Sequence, residues 1–190
     1  MERIFKEVRR ALSQGLEEIV FLDPCFSRRP NLEALLEGLA TCNPERRLHL
    51  HAECNVETID QDKAEKMAQA GFVQLEVGLQ SVNRSTLRNI HGTFRPQRFI
   101  QGVRFLQDCS IEVMVDLIAG LPRDTLSDIC DSLDWVIDHE AYDYLMLYSL
   151  SLISGTELHQ RASEFGLSAM PNPPYLVTRS PTLTALQMNQ

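Results

Sequence analysis

Paired cysteines are the first thing missing from this chain of 190 residues. Cys25, Cys42, Cys54, Cys109 and Cys130 stand far apart, with no CxxC and no CxxxCxxC among them. That spacing excludes a local zinc or iron–sulfur ligand motif and a disulfide framework, and leaves free thiols. With a charged start, MERIFKEVRRAL, that does not read as a signal peptide, it makes the cytoplasm the expected compartment. Long apolar runs are absent too, so no segment reads as a transmembrane helix and no membrane partner is expected. Cations are scarce, 18 Lys and Arg against 26 Asp and Glu, and the net charge of −8 argues against bulk nucleic-acid binding. There is no GxGxxG, no phosphate loop, no nucleophile elbow and no low-complexity run.

What is present is a core. Hydrophobic residues make up 44% of the chain, enough for one folded domain followed by a tail. The stretch IEVMVDLIAGLPRDT, residues 111–125, organises the rest. Ile111, Val113, Val115 and Leu117 fall on one face of a strand, and Glu112, Met114, Asp116 and Ile118 on the other. Gly120-Leu121-Pro122 stops the strand, and Asp124 or Thr125 caps the helix that follows.

The same unit recurs along the chain. An amphipathic helix over residues 2–14 precedes the short strand EIVFLD, which Pro24 ends. Leu32, Leu35, Leu36 and Leu39 stripe a helix. The next strand alternates Leu48, Leu50, Ala52 and Cys54 with His49, His51, Glu53 and Asn55. A helix to Gly71 leads into FVQLEVGLQS, where Gln74, Glu76, Gly78 and Gln80 share the polar face. A short helix capped by Asn83 and a longer one from Pro96 precede the strand at 111. After it come a helix over 124–139 with a solvated acidic face, a fifth strand over 143–151, and a last helix ending at Gly166.

Five strand–helix alternations at intervals of roughly 25–30 residues are the rhythm of parallel βα units. A doubly wound sheet buries both faces of its strands, whereas three strands here are polar on one face. Unpaired, each such group would cost ~1–3 kcal/mol on burial. The expectation is therefore an α/β fold, a partial and open (β/α) barrel of parallel strands resembling a TIM barrel. Its wet lumen would hold a polar ligand at the carboxyl ends of the strands. His49, His51 and Glu53 share one strand face, so spacing alone also permits a metal site there.

FLDPCF, HAECNVE, AGFVQLEVGLQS, NIHGTF, DLIAGLPRDT and SGTEL come in that order. Together they resemble the radical S-adenosylmethionine (radical SAM) enzymes, and most closely the branch whose members often carry a cobalamin-binding domain upstream. The resemblance implies about five βα units of a (β/α)6 core over residues 1–169, with 170–190 as an extended tail or linker. It also implies a 4Fe–4S cluster that reduces SAM to a 5′-deoxyadenosyl radical, which abstracts hydrogen from a small-molecule substrate that the sequence does not name. The resemblance also allows cobalamin as a cofactor of the full-length protein, and the sequence does not say whether it is used. Carried over position by position, Asp23, Pro24 and neighbouring Cys25 fall where the family contacts the methionine part of SAM. Glu53 falls at a polar strand end, and Glu76, Gln80 and Ser81 near methionine and ribose. Ile118, Gly120, Leu121 and Pro122 fall at the turn packed near adenine, and the backbone at Leu150, Ser151 and Leu152 along the adenine edge.

One departure bears on activity. The family's CxxxCxxC, whose thiolates hold the cluster, is absent, so the chain is expected to begin one βα unit late and to be inactive alone. Two other readings stand beside this one: a cluster-less barrel acting as a binding or scaffold module, and a metal-dependent barrel lyase built on His49, His51 and Glu53. A missing first strand would leave a parallel edge at Glu18–Asp23, a candidate site for dimerisation or aggregation.

Overall fold

In the computed structural model, residues 1–184 and Gln187 are described. Five parallel strands form one sheet in the order β1-β2-β3-β4-β5. They are β1 (Glu18–Phe21), β2 (His49–Glu53), β3 (Phe72–Gln80), β4 (Glu112–Ala119) and β5 (Tyr144–Ser149). Between them run α1 (Glu2–Ser13), α2 (Leu32–Cys42), α3 (Gln61–Ala70), α4 (Arg84–Asn89), α5 (Pro96–Asp108), α6 (Leu126–Asp138) and α7 (Glu157–Gln160), α1 preceding β1 and α7 following β5. Each strand lies beside the next in sequence, as parallel crossovers through helices require.

The chain gathers into two compact units, and β3 and β4 contribute to both. The first comprises Met1–Gly78, Arg95–Val115 and Ala141–Tyr144. Its interior is the face read as apolar in the sequence: Leu48, Leu50, Ala52, Leu75, Val77, Ile111, Val113 and Val115 are all buried. Leu35, Leu36 and Leu39 of α2, Met67 of α3 and Val103 of α5 are buried with them. The rings of Phe21, Phe26 and Phe72 cluster with centroids 5.0 to 5.8 Å apart. Asn43 is a buried polar exception with a structural task. Its amide donates to the carbonyls of Leu48 (2.7 Å) and Ala70 (3.3 Å), and its Oδ1 accepts from the Leu48 N–H (3.2 Å). Gly71, which ends α3 at φ +102°, passes so close that a Cβ there would lie 2.4 Å from the Asn43 amide.

The second unit comprises Leu79–Phe94, Asp116–Glu140 and Leu145–Gln190. Leu121, Leu150, Leu152, Phe165, Leu167 and Val177 form its core, with Ile90, Ile118 and Leu158 packed against it. Its polar residues bond to one another. Thr125 and Asp128 form a capping box at the start of α6. Asn83 caps α4 and its amide also donates to Asp128. Asp128 is therefore not part of a merely solvated acidic face. Leu126 and Ile137, apolar residues of the same helix, are 43% and 49% exposed.

The chain after β5 differs most from the sequence reading. The last helix is short, and turns carry the chain from Arg161 to Gly166. Beyond it, β6 (Ser168–Ala169) and β7 (Val177–Arg179) pair antiparallel. Val177 donates to the Leu150 carbonyl (2.8 Å) and Leu152 to that of Tyr175 (2.9 Å), so much of the stretch expected as an extended tail is tied to residues 150–152. The end of that stretch, residues 185–186 and 188–190, lies outside the described residues.

Candidate functional site

Six of the positions singled out in the sequence line two cavities, one in each unit: Asp23, Glu53 and Glu76 the first, Gln80, Ile118 and Leu121 the second. In the first unit a cavity of about 450 Å3 opens on the polar faces of β1, β2 and β3. Glu18, Asp23, His51, Glu53, Gln74, Glu76 and Met114 line it. The parallel register sets Glu53 beside Glu76, so two carboxylates point the same way from neighbouring strands. Burial first, and the Glu76 charge second, push the Glu53 carboxyl above its usual range. His51 adds a buried Nε2 with no hydrogen-bond partner among the described residues. Asp23 is already engaged, its Oδ1 accepting from Arg29 Nη1 at 2.6 Å. Pro24 stands exposed on the turn after β1. Cys54 is a buried free thiol whose pKa burial raises, with Cys25 and Glu53 adding to the effect. The arrangement accepts hydrogen bonds and protons.

The loop beyond β2 is fixed by a residue the sequence reading did not single out. Ser27, buried, accepts from the Asn55 N–H (3.0 Å) and the Thr58 hydroxyl (3.0 Å).

In the second unit a pocket of about 250 Å3 is lined by Gln80, Asn89, Ile90, His91, Ile118, Leu121, Leu150, Glu157, Leu158 and Arg161. Gln80, expected near methionine and ribose, and Ile118 and Leu121, expected near adenine, all line this one pocket. Gln80 ends β3 at φ +66°, a left-handed conformation rare for a residue with a side chain. Such positions cost about 1 kcal/mol and persist where surrounding structure holds them, often at functional sites.

Other expected positions serve the walls instead. Ser81 is buried, within 3.4 Å of the Ser132 hydroxyl, and accepts from the Asn83 N–H at 3.0 Å. Gly120 supplies the turn after β4 at φ +89°. Pro122 is buried and its carbonyl accepts from Asn89 Nδ2 at 2.9 Å. Ser151 forms an isolated bridge with Leu176. Asp124 lies buried beneath this turn, its Oδ1 3.4 Å from the Thr86 hydroxyl. Burial and the nearby Asp128 push its carboxyl up to about 7. Asp128 goes the other way: burial opposes ionisation, but hydrogen bonds from Thr125 and Asn83 hold its pKa below the usual value.

The rim of this pocket was missed by the sequence reading, although His91 sits in the NIHGTF motif and Glu157 in SGTEL. Glu157 Oε1 lies 2.9 Å from His91 Nε2 and accepts from Arg161 Nη1 at 2.9 Å. Arg161 in turn forks onto both oxygens of Glu164, at 2.9 Å each, with its guanidinium over the Phe165 ring.

Among the described residues no group of three or more His, Cys, Asp or Glu is placed to hold a metal ion. The lyase reading on His49, His51 and Glu53 therefore lacks a site. No helix among the described residues is long and apolar enough to cross a membrane.

Comparison with solved structures places this fold among known ones. The chain is similar to the radical S-adenosylmethionine methyltransferase TsrM from Kitasatospora setae, solved with cobalamin and a 4Fe–4S cluster bound. The two are 19% identical with a TM-score of 0.71, over 96% of this chain and 38% of that one. It is also similar to coproporphyrinogen III oxidase (HemN) from Escherichia coli, described as a radical SAM enzyme, at 16% identity and a TM-score of 0.68, over 99% of this chain and 44% of that one. The chain thus spans less than half the length of either protein, and at these identities the likeness is one of fold. No curated protein matches the sequence. The model of the Radical SAM superfamily matches residues 1–136. That match covers more than half of a chain whose five parallel strands form the same kind of partial barrel, and the chain belongs to the radical SAM superfamily.

Proposed function

We propose that this chain is the SAM-binding barrel segment of a cytoplasmic radical SAM iron–sulfur oxidoreductase, and that the adenosine part of SAM lies in the pocket of the second unit. The carrying observation is the convergence of Gln80, Ile118 and Leu121 with Leu150 on one pocket. Ile118, Leu121 and Leu150 offer an apolar floor for a flat heteroaromatic ring, and Gln80 and Asn89 offer amides for its polar edge. Asp23, Glu53 and Glu76 line the acceptor-rich cavity of the first unit, which by itself suits the ammonium group of a cationic ligand.

In this family a 4Fe–4S cluster supplies the electron that cleaves SAM. The cysteines of this chain do not fit that role: no CxxxCxxC occurs, Cys54 is buried, and no described group of three is placed for a metal. No step is therefore routed through a cluster here. What these residues would do is bind and orient SAM, in a protein whose cluster ligands lie elsewhere. A scaffold module with the same groove would bind SAM without chemistry.

Titration calorimetry of the purified chain with S-adenosylhomocysteine tests the reading. Saturable binding is expected, weakened about tenfold or more by Ile118→Asp, which sets a charge on the apolar floor. Absence of heat, with the chain folded by circular dichroism, would remove the adenosine assignment.

A further inference from the structure

We propose that the outward side of α6 is a docking surface for a helix of a partner protein, one with an apolar stripe and a lysine- or arginine-bearing edge. Four residues of α6 lie along one bare line. Leu126, Cys130, Leu133 and Ile137 recur at intervals of four, three and four, the spacing of a seam that packs into the holes of a second helix. Leu126, Cys130 and Ile137 are exposed and Leu133 is half-buried. Other residues hold the helix down. Ile129, Ser132 and Val136 are buried beneath it. Trp135 meets the Phe94 ring edge-on and stacks on His139, on a further side. So α6 carries two apolar surfaces, and the unit's own packing uses one.

The strand that follows α6 is short of cover as well. Alternation puts Leu147 on the face of β5 opposite Tyr144, whose hydroxyl donates to Glu112 on the polar face at 3.4 Å. That is the face on which strands of this kind carry helices. Leu147 is nonetheless exposed, because α7 has four residues and none of them is buried. A helix laid along α6 therefore belongs to a layer that the described residues do not fill. Charge decides what kind of helix. Asp131, Asp134 and Asp138 run beside the stripe along one edge, α6 holds no lysine or arginine, and none of the three forms an ion pair among the described residues. A cationic edge on the incoming helix would meet them as flanking charges do in paired helices. A second copy of this chain is a poorer match. In an antiparallel two-fold pairing of α6 with α6 the acidic edge faces itself, between chains of net charge −8.

Fluorescence anisotropy of the full chain with a labelled synthetic helix tests the proposal. The probe is a peptide of about 20 residues with leucine at intervals of three and four and lysine on the flanking positions; its twin carries glutamate in place of lysine. The lysine peptide should bind saturably, about tenfold or more tighter than its twin at low salt, and the gap should narrow as salt is raised. Ile137→Asp, a change at an exposed position, should weaken binding about tenfold or more. Asp134→Asn combined with Asp138→Asn should erase most of the preference between the two peptides. Cys130 supplies a readout that needs no variant: its alkylation by iodoacetamide, followed by mass spectrometry, should slow several-fold under saturating lysine peptide. Absence of binding by the lysine peptide overturns the proposal, and so does binding that neither Ile137→Asp nor the Cys130 rate registers. Sedimentation of the chain alone should show a monomer. A dimer that Ile137→Asp dissolves would give the face to a second copy and overturn the proposal too.

Discussion

The two units handle polar side chains in opposite ways. In the first, Glu53, Glu76 and His51 face a cavity, and the nearest neighbour of one carboxylate is another. In the second, Ser81, Asn83, Thr86, Asp124, Thr125, Asp128 and Ser132 bond among themselves, as do His91, Glu157 and Arg161 on the rim. The pocket left over there is apolar at its floor. One strand–helix rhythm thus builds a wet acceptor surface in one place and a walled apolar pocket in the other. The difference lies in the residues that follow the strands. The loops after β3 and β4 are rich in short hydroxyl, amide and carboxylate side chains that satisfy one another locally. The polar residues of β1 and β2 stand on the strands themselves, where alternation forces them outward from the packed face.

The comparison is broken most severely at Asn43. Its three hydrogen bonds, like those that Ser27 accepts, run against the first unit's habit of leaving strand polar groups facing open space. Asn43→Ala strands the Leu48 N–H and two carbonyls in the core, and should cost about 3 kcal/mol, a fall in Tm of about 10 °C. Thermal melts read it; a change of a degree or two would mean that water replaces the amide.

Asp124 sharpens the comparison from the other unit. Its folded pKa, near 7, lies above the ordinary carboxylate value. The folded state therefore binds the extra proton, and the associated stability is full below pH 4 and is lost as pH rises toward and through 7. Asp124→Asn removes the charge. It should raise Tm at pH 8, by the equivalent of about 1–2 kcal/mol, and change it little at pH 5. Melts of both proteins at the two pH values decide it, since equal gains at both would assign the effect to packing instead.

The smallest effect is expected in the first unit's cavity. Glu76→Gln removes the like charge beside Glu53, so the Glu53 midpoint should move down toward the usual carboxylate value. The gain in stability should stay below ~0.5 kcal/mol, because solvent screens the pair. Carbon-detected NMR titration of Glu53 measures the shift directly. An unmoved midpoint would leave burial as its whole cause.

Much of this was legible in the sequence because periodicity reports burial. Leu48, Leu50, Leu75, Val113 and Val115 read as inward and are inward. Pocket membership was less legible, because it depends on where each loop goes after its strand ends. Gln80, Ile118 and Leu121 stay on the pocket, whereas Ser81 turns into a hydroxyl network and Pro122 spends its carbonyl on Asn89. Strand alternation puts Gln80 and Ser81 on opposite faces, but it does not show the left-handed backbone at Gln80 that ends the strand there. Glu157 and Arg161 were invisible as a pair with His91, because their meeting depends on a short helix placed by tertiary packing. The pairing of β6 with β7 was hidden for a similar reason, the strands being too short to show alternation.

Neither unit is a continuous stretch of chain, and this bears on how the molecule comes into being. The first unit closes only when Ala141–Tyr144 joins residues that begin at Met1. On a ribosome, then, synthesis must run past Tyr144 before that unit can be completed, with Val20 and Leu22, 60% and 90% exposed even when folded, on offer throughout. Nor is there a cut that would free one unit intact, since β3 and β4 each begin in one and end in the other. A protease nick in either strand should be felt by both units.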